Sequence, residues 1–76
     1  MNQHLIDALG AYCDPDLQLS ENSHLVTDLG MTSFDLIQAV GDLEMATGKG
    51  IDVEELNGIA TVGDLNSVVN RALNAD

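Results

Sequence analysis

The chain has 76 residues, 45% of them hydrophobic, and its 13 carboxylates against two basic side chains give a formal charge of -11. This length allows one small domain over residues 1–76, with a thin core and no room for a deep catalytic cleft. The charge repels phosphate backbones and anionic lipid, so it disfavours binding to nucleic acid or membrane surfaces. Basic patches on other proteins are the partners that such a surface favours.

The cysteine content and hydropathy indicate the compartment. Cys13 is the only cysteine and cannot form an internal disulfide, which fits a reducing environment. No charged-then-apolar leader opens the sequence and no apolar run approaches membrane-spanning length. We therefore expect a cytoplasmic monomer without membrane insertion, in which Cys13 is a small, partly buried side chain.

The first predicted element is a short amphipathic helix over residues 2–13. Its apolar residues recur at helical spacing: Leu5, Ile6, Leu9 and Tyr12. We expect Asp14-Pro15-Asp16 to end it, because proline disfavours helical geometry in the preceding residue. A long connection over residues 14–32 follows, of a length that is often functional in so small a domain. Its apolar side chains should pin it across the bundle: Leu17, Leu19, Leu25, Val26 and Leu29.

The clearest predicted helix spans residues 32–47. Thr32 is a candidate N-cap, with Asp35 three residues later as an imperfect capping-box partner, and Gly48-Lys49-Gly50 should end the helix. A short helical turn fits residues 53–58.

A last helix runs from the Thr61 cap to Leu73, with Asp64 in its first turn and Arg71 in its last, both matching the helix dipole. No segment alternates with period two. The predicted fold class is therefore all-α: a four-helix bundle of three main helices and one short helix, with a long loop between helices 1 and 2.

The second helix carries two apolar faces. One narrow arc should face the core: Leu36, Ala39, Val40 and Leu43. A second arc holds Phe34, Ile37, Gly41 and Met45, with carboxylates at its rims and Ser33 at one margin. Either the preceding loop covers this second arc or it is a docking surface with an apolar centre and an acidic rim, and we favour docking. Gly41 agrees with docking, because a mid-helix glycine costs ~0.5–1 kcal/mol and implies a close approach.

Ser33 stands at the start of this helix. A serine here is usually a cap, but Thr32 can cap, which leaves the Ser33 hydroxyl at the first helical position and free to point outward. A phosphate ester there would lie near unsatisfied backbone N–H groups and the positive end of the helix dipole. The position is chemically suited to carry an anion.

The residues around Ser33 resemble the attachment motif of the acyl carrier protein family, usually Asp-Leu-Gly, two variable residues, Ser, a hydrophobic residue and often Asp. The matching stretch is Asp28-Leu29-Gly30-Met31-Thr32-Ser33-Phe34-Asp35-Leu36. Similar family features occur along the rest of the chain: Asn22-Ser23-His24-Leu25-Val26, Leu43-Glu44, Ile51-Asp52, Glu54-Glu55 and Ile59 with Thr61-Val62-Gly63-Asp64-Leu65. The resemblance covers almost the whole chain and is weakest over the first helix.

The resemblance implies a phosphoprotein whose Ser33 receives 4'-phosphopantetheine from coenzyme A through a phosphopantetheinyl transferase. The thiol of that arm, not Cys13, would carry acyl groups as thioesters to partner enzymes of fatty-acid, polyketide or related biosynthesis, so the chain would be a carrier and not an enzyme. Acyl-loading and acyl-processing enzymes would dock through basic patches. The candidate docking residues on this chain are Thr32, Phe34, Asp35, Ile37, Gln38, Gly41, Asp42 and Glu44.

Four positions depart from the family pattern. Thr32 replaces the usual Asp, Phe34 the usual Leu, Gln38 a common acidic residue, and Asp52 a common Pro. These departures leave open a dedicated carrier for a polyketide, an amino acid or a special lipid acyl group, instead of the housekeeping fatty-acid carrier.

Three other hypotheses follow from the residues: an acidic interaction module, a calcium-binding domain and an enzyme. The chain could be an acidic helical interaction module in which Ser33 is never modified. A calcium-binding EF-hand loop starting at Asp14 would need Gly at Leu19 and Glu at Leu25, and it fails at both positions. His4 and His24, the only histidines, have no partner at ligand or dyad spacing, so they predict surface residues and neither a metal site nor a catalytic one.

Overall fold

The computed structural model describes residues 1–13 and 18–74. Within these ranges the chain forms α1 (Gln3–Gly10), α2 (Ser33–Thr47), a single-turn 3₁₀ helix (Val53–Leu56) and α3 (Val62–Asn74). The predicted all-α class, with three main helices and one short one, is confirmed. The predicted helix stop at Asp14-Pro15-Asp16 and the predicted packing of Leu17 lie outside the described residues.

Helix α1 is shorter than predicted. Asn2 precedes it and caps it, because its side-chain oxygen accepts from the N–H groups of His4 and Leu5 at 2.8 and 3.3 Å. The helix ends at Gly10 instead of Cys13. The next amides bond three residues back and not four, Ala11 N to Ala8 O at 3.4 Å and Tyr12 N to Leu9 O at 3.0 Å, which tightens the chain out of α geometry.

The core is aliphatic and draws on every part of the described chain. Its most deeply buried side chains come from all three α-helices: Leu5, Leu9, Leu43, Val62, Leu65 and Val69. Helix α2 contributes the face that its apolar spacing predicts, with Ala39, Val40 and Leu43 buried and Leu36 half-buried against them. Fully burying one such side chain stabilises the fold by ~1.5–3 kcal/mol, so this seam holds α2 in place.

Helix α3 begins where predicted, at a Thr61 cap. The Thr61 Oγ1 accepts from Asp64 N at 3.1 Å, and the Asp64 carboxylate accepts in return from the amides of Thr61 and Ala60 at 3.1 and 2.9 Å. These backbone hydrogen bonds, with Ala60 the stronger contributor, hold the pKa of Asp64 below its usual range.

The described part of the connection before α2, residues 18–32, packs across the start of α3. Leu25 and Leu29 are buried, as predicted, and Leu25 N donates to Ala60 O at 2.9 Å. Val26 is 59% exposed, so it does not pin the loop as predicted. Leu25 and Leu29 take the inward positions of this turn. None of the described helices is long and apolar enough to cross a bilayer.

Candidate functional site

Ser33 is the first residue of α2, and its side chain is exposed. Thr32 caps the helix: its Oγ1 accepts from Asp35 N at 3.1 Å, and the Asp35 carboxylate accepts from Thr32 N at 3.1 Å. The predicted N-cap and capping box are thereby confirmed. Among the described residues, no hydrogen bond engages the Ser33 hydroxyl. Thr32 therefore caps the helix, and the adjacent Ser33 keeps its hydroxyl exposed to solvent.

The backbone at this helix start can receive an anion. Within the described chain, the N–H groups of Ser33 and Phe34 donate to no acceptor. They lie in the first turn of α2, at the positive end of the helix dipole. A phosphate ester on Ser33 Oγ would lie beside these donors, a contact worth ~0.3–1 kcal/mol at an exposed site. Phosphopantetheine therefore fits the position in both access and charge.

A compact turn ahead of α2 sets the position of Ser33. Gly30 takes a left-handed conformation with φ 71°, which residues with a side chain rarely adopt, and its N–H donates to Val26 O at 2.9 Å. The next residue, Met31, is buried and donates from its N–H to Leu25 O at 3.0 Å. The chain thus leaves the core at Met31 and reaches the surface at Thr32 and Ser33.

A small pocket of about 140 Å³ opens beside Ser33. It lies between the turn, the first residues of α2 and the end of the 3₁₀ helix. Its lining is mainly apolar: Leu25, Val26, Met31, Thr32, Ser33, Leu36, Leu56, Ile59 and Ala60. A group attached to Ser33 therefore has an apolar recess within reach.

The outer face of α2, which we define as Phe34, Ile37, Gln38, Gly41 and Met45, stays open. Phe34 is 67%, Ile37 53% and Met45 87% exposed, and Gln38 is exposed as well. No described part of the preceding loop covers these apolar side chains, so the covering alternative is wrong for the described chain. At Gly41 no atom outside its own helix lies within 4 Å of where a Cβ would be, so no packing among residues 1–13 and 18–74 requires glycine.

The carboxylates predicted to rim this face have intramolecular partners. Asp35 belongs to the capping box. The Asp42 carboxylate accepts from the Tyr12 hydroxyl at 2.8 Å, and this bond raises the pKa of Tyr12. The half-buried Glu44 accepts from Ile51 N at 2.8 Å, which fastens the segment after α2 to the helix. The contacts of Asp42 and Glu44 reach residues 30 and 7 positions away in sequence, which is why helical spacing alone did not predict them.

The remaining candidates give no catalytic or metal centre. His4 is exposed, and no group of three metal-ligating side chains occurs within residues 1–13 and 18–74. Cys13 is half-buried as expected, and burial followed by the charge of Asp35 raises the pKa of its thiol, which makes it a poor nucleophile. His24 was expected on the surface, but it is half-buried and hydrogen-bonded to its own turn.

Comparison with known proteins decides the family. The family model described as the phosphopantetheine attachment site matches residues 3–68. A protein named acyl carrier protein from Thermotoga maritima is 39% identical over 56 residues, which cover 74% of this chain and 69% of the relative. The chain belongs to the acyl carrier protein family. A second acyl carrier protein, from Saccharopolyspora erythraea, is 40% identical over 63 residues, which cover 83% of this chain and 63% of that relative.

Family membership fixes the class of activity. Phosphopantetheine is the prosthetic group of such carriers, and the chain is a carrier and not a catalyst. The family also implies interaction with a phosphopantetheinyl transferase and with biosynthetic enzymes in general.

Proposed function

We propose that Ser33 carries the 4'-phosphopantetheine arm of this acyl carrier protein. The observation that supports this most directly is an exposed hydroxyl, without a hydrogen bond among the described residues, at the first position of a helix that its neighbour already caps. Ser67, by comparison, lies inside α3 and donates its hydroxyl to Gly63 O at 3.1 Å. Ser33 has both the access and the local positive field that a phosphodiester requires.

The attachment is a substitution at phosphorus. The Ser33 Oγ–P bond forms, the pyrophosphate P–O bond of coenzyme A breaks, the nucleotide half leaves, and the hydroxyl proton passes to a base of the transferase. The thiol at the end of the arm then supplies the thioester chemistry. This chain's part is to hold the hydroxyl at a fixed place on a rigid helix and to leave a transferase room to reach it.

Intact-mass measurement tests the assignment. The purified chain is incubated with coenzyme A and a broad-specificity phosphopantetheinyl transferase, and one phosphopantetheine mass should be added. Ser33→Ala should abolish the gain, whereas Ser20→Ala, which removes another exposed serine, should keep it. No gain on the wild type would favour the unmodified acidic module, and a gain that persists in Ser33→Ala would place the arm elsewhere.

The pocket beside Ser33 supports a short sequestered segment of cargo. An apolar cavity of ~150 Å³ holds benzene, so a recess of this size accepts about six carbon atoms. The thermal stability of the loaded carrier should therefore rise with acyl length up to about six carbons and then level off. A rise that continues to twelve carbons would show that the bundle opens further, and no rise at all would show that the chain stays in solvent.

The outer face of α2 is the proposed docking surface for partner enzymes. Complementary charge raises the rate at which two proteins associate, and an apolar centre then stabilises the complex that has formed. The candidate contacts are Thr32, Phe34, Asp35, Ile37, Gln38, Gly41, Asp42 and Glu44, and the net charge of -11 favours basic patches on the partner. Of these, Phe34, Ile37 and Gln38 have the most freely exposed side chains without an intramolecular hydrogen bond in the described chain.

The cargo separates the remaining alternatives. Fatty-acid, polyketide or related acyl groups agree with family membership, while an aminoacyl or peptidyl cargo is the alternative. We place the carrier in the cytoplasm as a monomer, on the grounds of one unpaired cysteine and strong negative charge. Intact-mass analysis of the protein isolated from its native host would identify the bound group.

A further inference from the structure

His24 has an unusual role at the start of the turn that precedes α2. Its Nδ1 accepts from two backbone amides, Val26 N at 3.1 Å and Thr27 N at 3.2 Å. The backbone N–H of His24 donates to the Asp28 carboxylate at 2.7 Å. The backbone carbonyl of His24 accepts from the amides of Asp28 and Leu29 at 3.0 and 3.1 Å. The imidazole thus does what Ser, Thr, Asp or Asn usually does at an N-cap, and Asp28 closes the reciprocal half of a capping box.

A histidine cap differs from the common caps in one respect, because it works in one protonation state only. A ring nitrogen that accepts two N–H bonds must be unprotonated. A proton on Nδ1 would convert the acceptor into a donor that faces two other donors, and the ring would have to turn away. Histidine side chains ordinarily titrate around pH 6.5, whereas a serine or asparagine cap does not change across this range.

The charged residues in the segments around this turn are mainly acidic. The turn and the segments beside it carry several carboxylates: Glu21, Asp28, Glu54, Glu55 and Asp64. Residues 18–34 and 59–66 contain no Lys or Arg, and Arg71 of α3 is paired with Glu55 at 3.7 Å.

The capped turn leads directly into the helix start that carries Ser33. It runs without a break through Gly30 and Met31 to Thr32, and two of its residues, Leu25 and Val26, line the pocket beside Ser33. It is also tied to α3, since His24 pairs with Thr61 in an isolated bridge and Leu25 N donates to Ala60 O at 2.9 Å. A loosened turn therefore frees the residues that fix where the helix start projects.

We infer that His24 is a pH-sensitive positioning residue, which holds the turn before Ser33 while its ring is neutral and releases it when Nδ1 is protonated. The release would loosen the lining of the pocket and the approach to Ser33 without unfolding the bundle. The effect on arm attachment rests on the proposed role of Ser33, whereas the effect on the turn does not.

Hydrogen exchange tests the turn by itself. Protection factors of the amides of Val26, Thr27, Leu29 and Gly30 are measured by NMR at about pH 7.5 and about pH 5.5, on either side of the ordinary histidine range. In the wild type they should fall about fivefold at the lower pH, the size expected for a lost cap. In His24→Asn the protection factors should be equal at the two pH values, because the side-chain oxygen of Asn accepts hydrogen bonds at either pH. His4→Asn, which removes the other histidine, should behave as the wild type.

The rate of phosphopantetheine transfer extends the test to Ser33. The ratio of the wild-type rate to the His24→Asn rate cancels the pH profile of the transferase, and it should fall several-fold between about pH 7.5 and about pH 5.5. If His24→Asn does not fold, His24→Ser takes its place. Turn protection that is equal at both pH values, or that falls equally in the variant, would overturn the inference. If no form is modified while the exchange result holds, the proposed role of Ser33 fails and that of His24 in the turn stands.

Discussion

Two helices of this protein begin with the same device and present it to different surroundings. Helix α2 starts with Thr32-Ser33-Phe34-Asp35 and α3 with Thr61-Val62-Gly63-Asp64, and in each the Thr and the Asp form reciprocal hydrogen bonds at about the same distances, 3.1 Å. The residue after the Thr differs completely. Ser33 is exposed, whereas Val62 is 0% exposed in the core.

The amides at the two helix starts differ in the same way. The N–H of Val62 donates to Ser23 O and that of Gly63 to Glu21 O, both at 2.9 Å. A Cβ on Gly63 would lie 3.0 Å from that Glu21 oxygen, so glycine permits the loop to pack so closely. At α2 the corresponding amides, those of Ser33 and Phe34, have no acceptor in the described chain. The comparison shows that a capping box makes a helix start, while the segment packed against it decides whether that start is structural or available to a ligand.

The largest expected effect is a difference in the free energy of unfolding between substitutions at Val62 and at Ser33, the first residues of α3 and α2. Val62→Ala should lower the free energy of unfolding by about 2 kcal/mol, because it removes buried methyl groups and leaves a cavity. Ser33→Ala should change it by no more than about 0.5 kcal/mol, because nothing packs on that side chain. Urea unfolding of both variants measures the difference. Equal losses would mean that the helix start at Ser33 is also part of the core.

The two caps should be equal in stability and unequal in function. Thr32→Ala and Thr61→Ala should each cost about 1 kcal/mol, the usual worth of an N-cap. Only Thr32→Ala should also slow the transfer of phosphopantetheine, because it loosens the turn on which Ser33 sits. Transfer rates measured under conditions where both variants are folded provide the check, and an equal slowing in both would make the effect one of global stability.

A substitution on the proposed docking surface should weaken the interaction with a partner enzyme without changing the stability of the carrier. Phe34→Ala removes a side chain that is 67% exposed, so the free energy of unfolding should shift by less than about 0.5 kcal/mol. The KM of a partner enzyme for the holo carrier should rise about fivefold, as expected for a contact near the centre of an interface. Met45→Ala, at the far end of the same face, is the matched control and should raise KM less. Equal KM values for Phe34→Ala and wild type would remove Phe34 from the surface.

The smallest expected effect concerns acid stability. Backbone hydrogen bonds from Ala60 and Thr61 lower the folded-state pKa of Asp64, so its contribution to stability is present above the ordinary carboxyl range and is lost as pH falls through the folded value. Asp64→Asn should therefore lose less thermal stability than the wild type between about pH 5 and about pH 3. Glu54→Gln, whose exposed carboxylate makes no hydrogen bond in the described chain, is the control and should follow the wild type.

The sequence predicted best those features that neighbouring residues decide. The Thr32–Asp35 spacing predicted the start of α2, and Thr61 as a cap predicted the start of α3. Gly48 predicted the end of α2, and apolar spacing predicted its buried face. Features decided by contacts across the fold escaped prediction. The end of α1 depends on how the chain tightens after Gly10, and the bond from Ile51 N to Glu44 joins two segments that periodicity treats separately.

His24 escaped for a different reason. Histidine is not among the usual cap residues, so a search for Ser, Thr, Asp or Asn at a cap position passes over it. A reciprocal pair, with an acidic residue a turn later, is the pattern that could have identified it. The exposure of the Ser33 hydroxyl, by comparison, was predicted from the sequence because the adjacent Thr32 can cap the helix.

Peptide mapping of the carrier purified after co-expression with a phosphopantetheinyl transferase tests the central claim most directly. The account predicts a single phosphopantetheine on the peptide that contains Ser33, and none on the peptides that contain the other serines. An arm found on another residue, or a fully unmodified Ser33 in a preparation whose transferase modifies a control carrier, would contradict it.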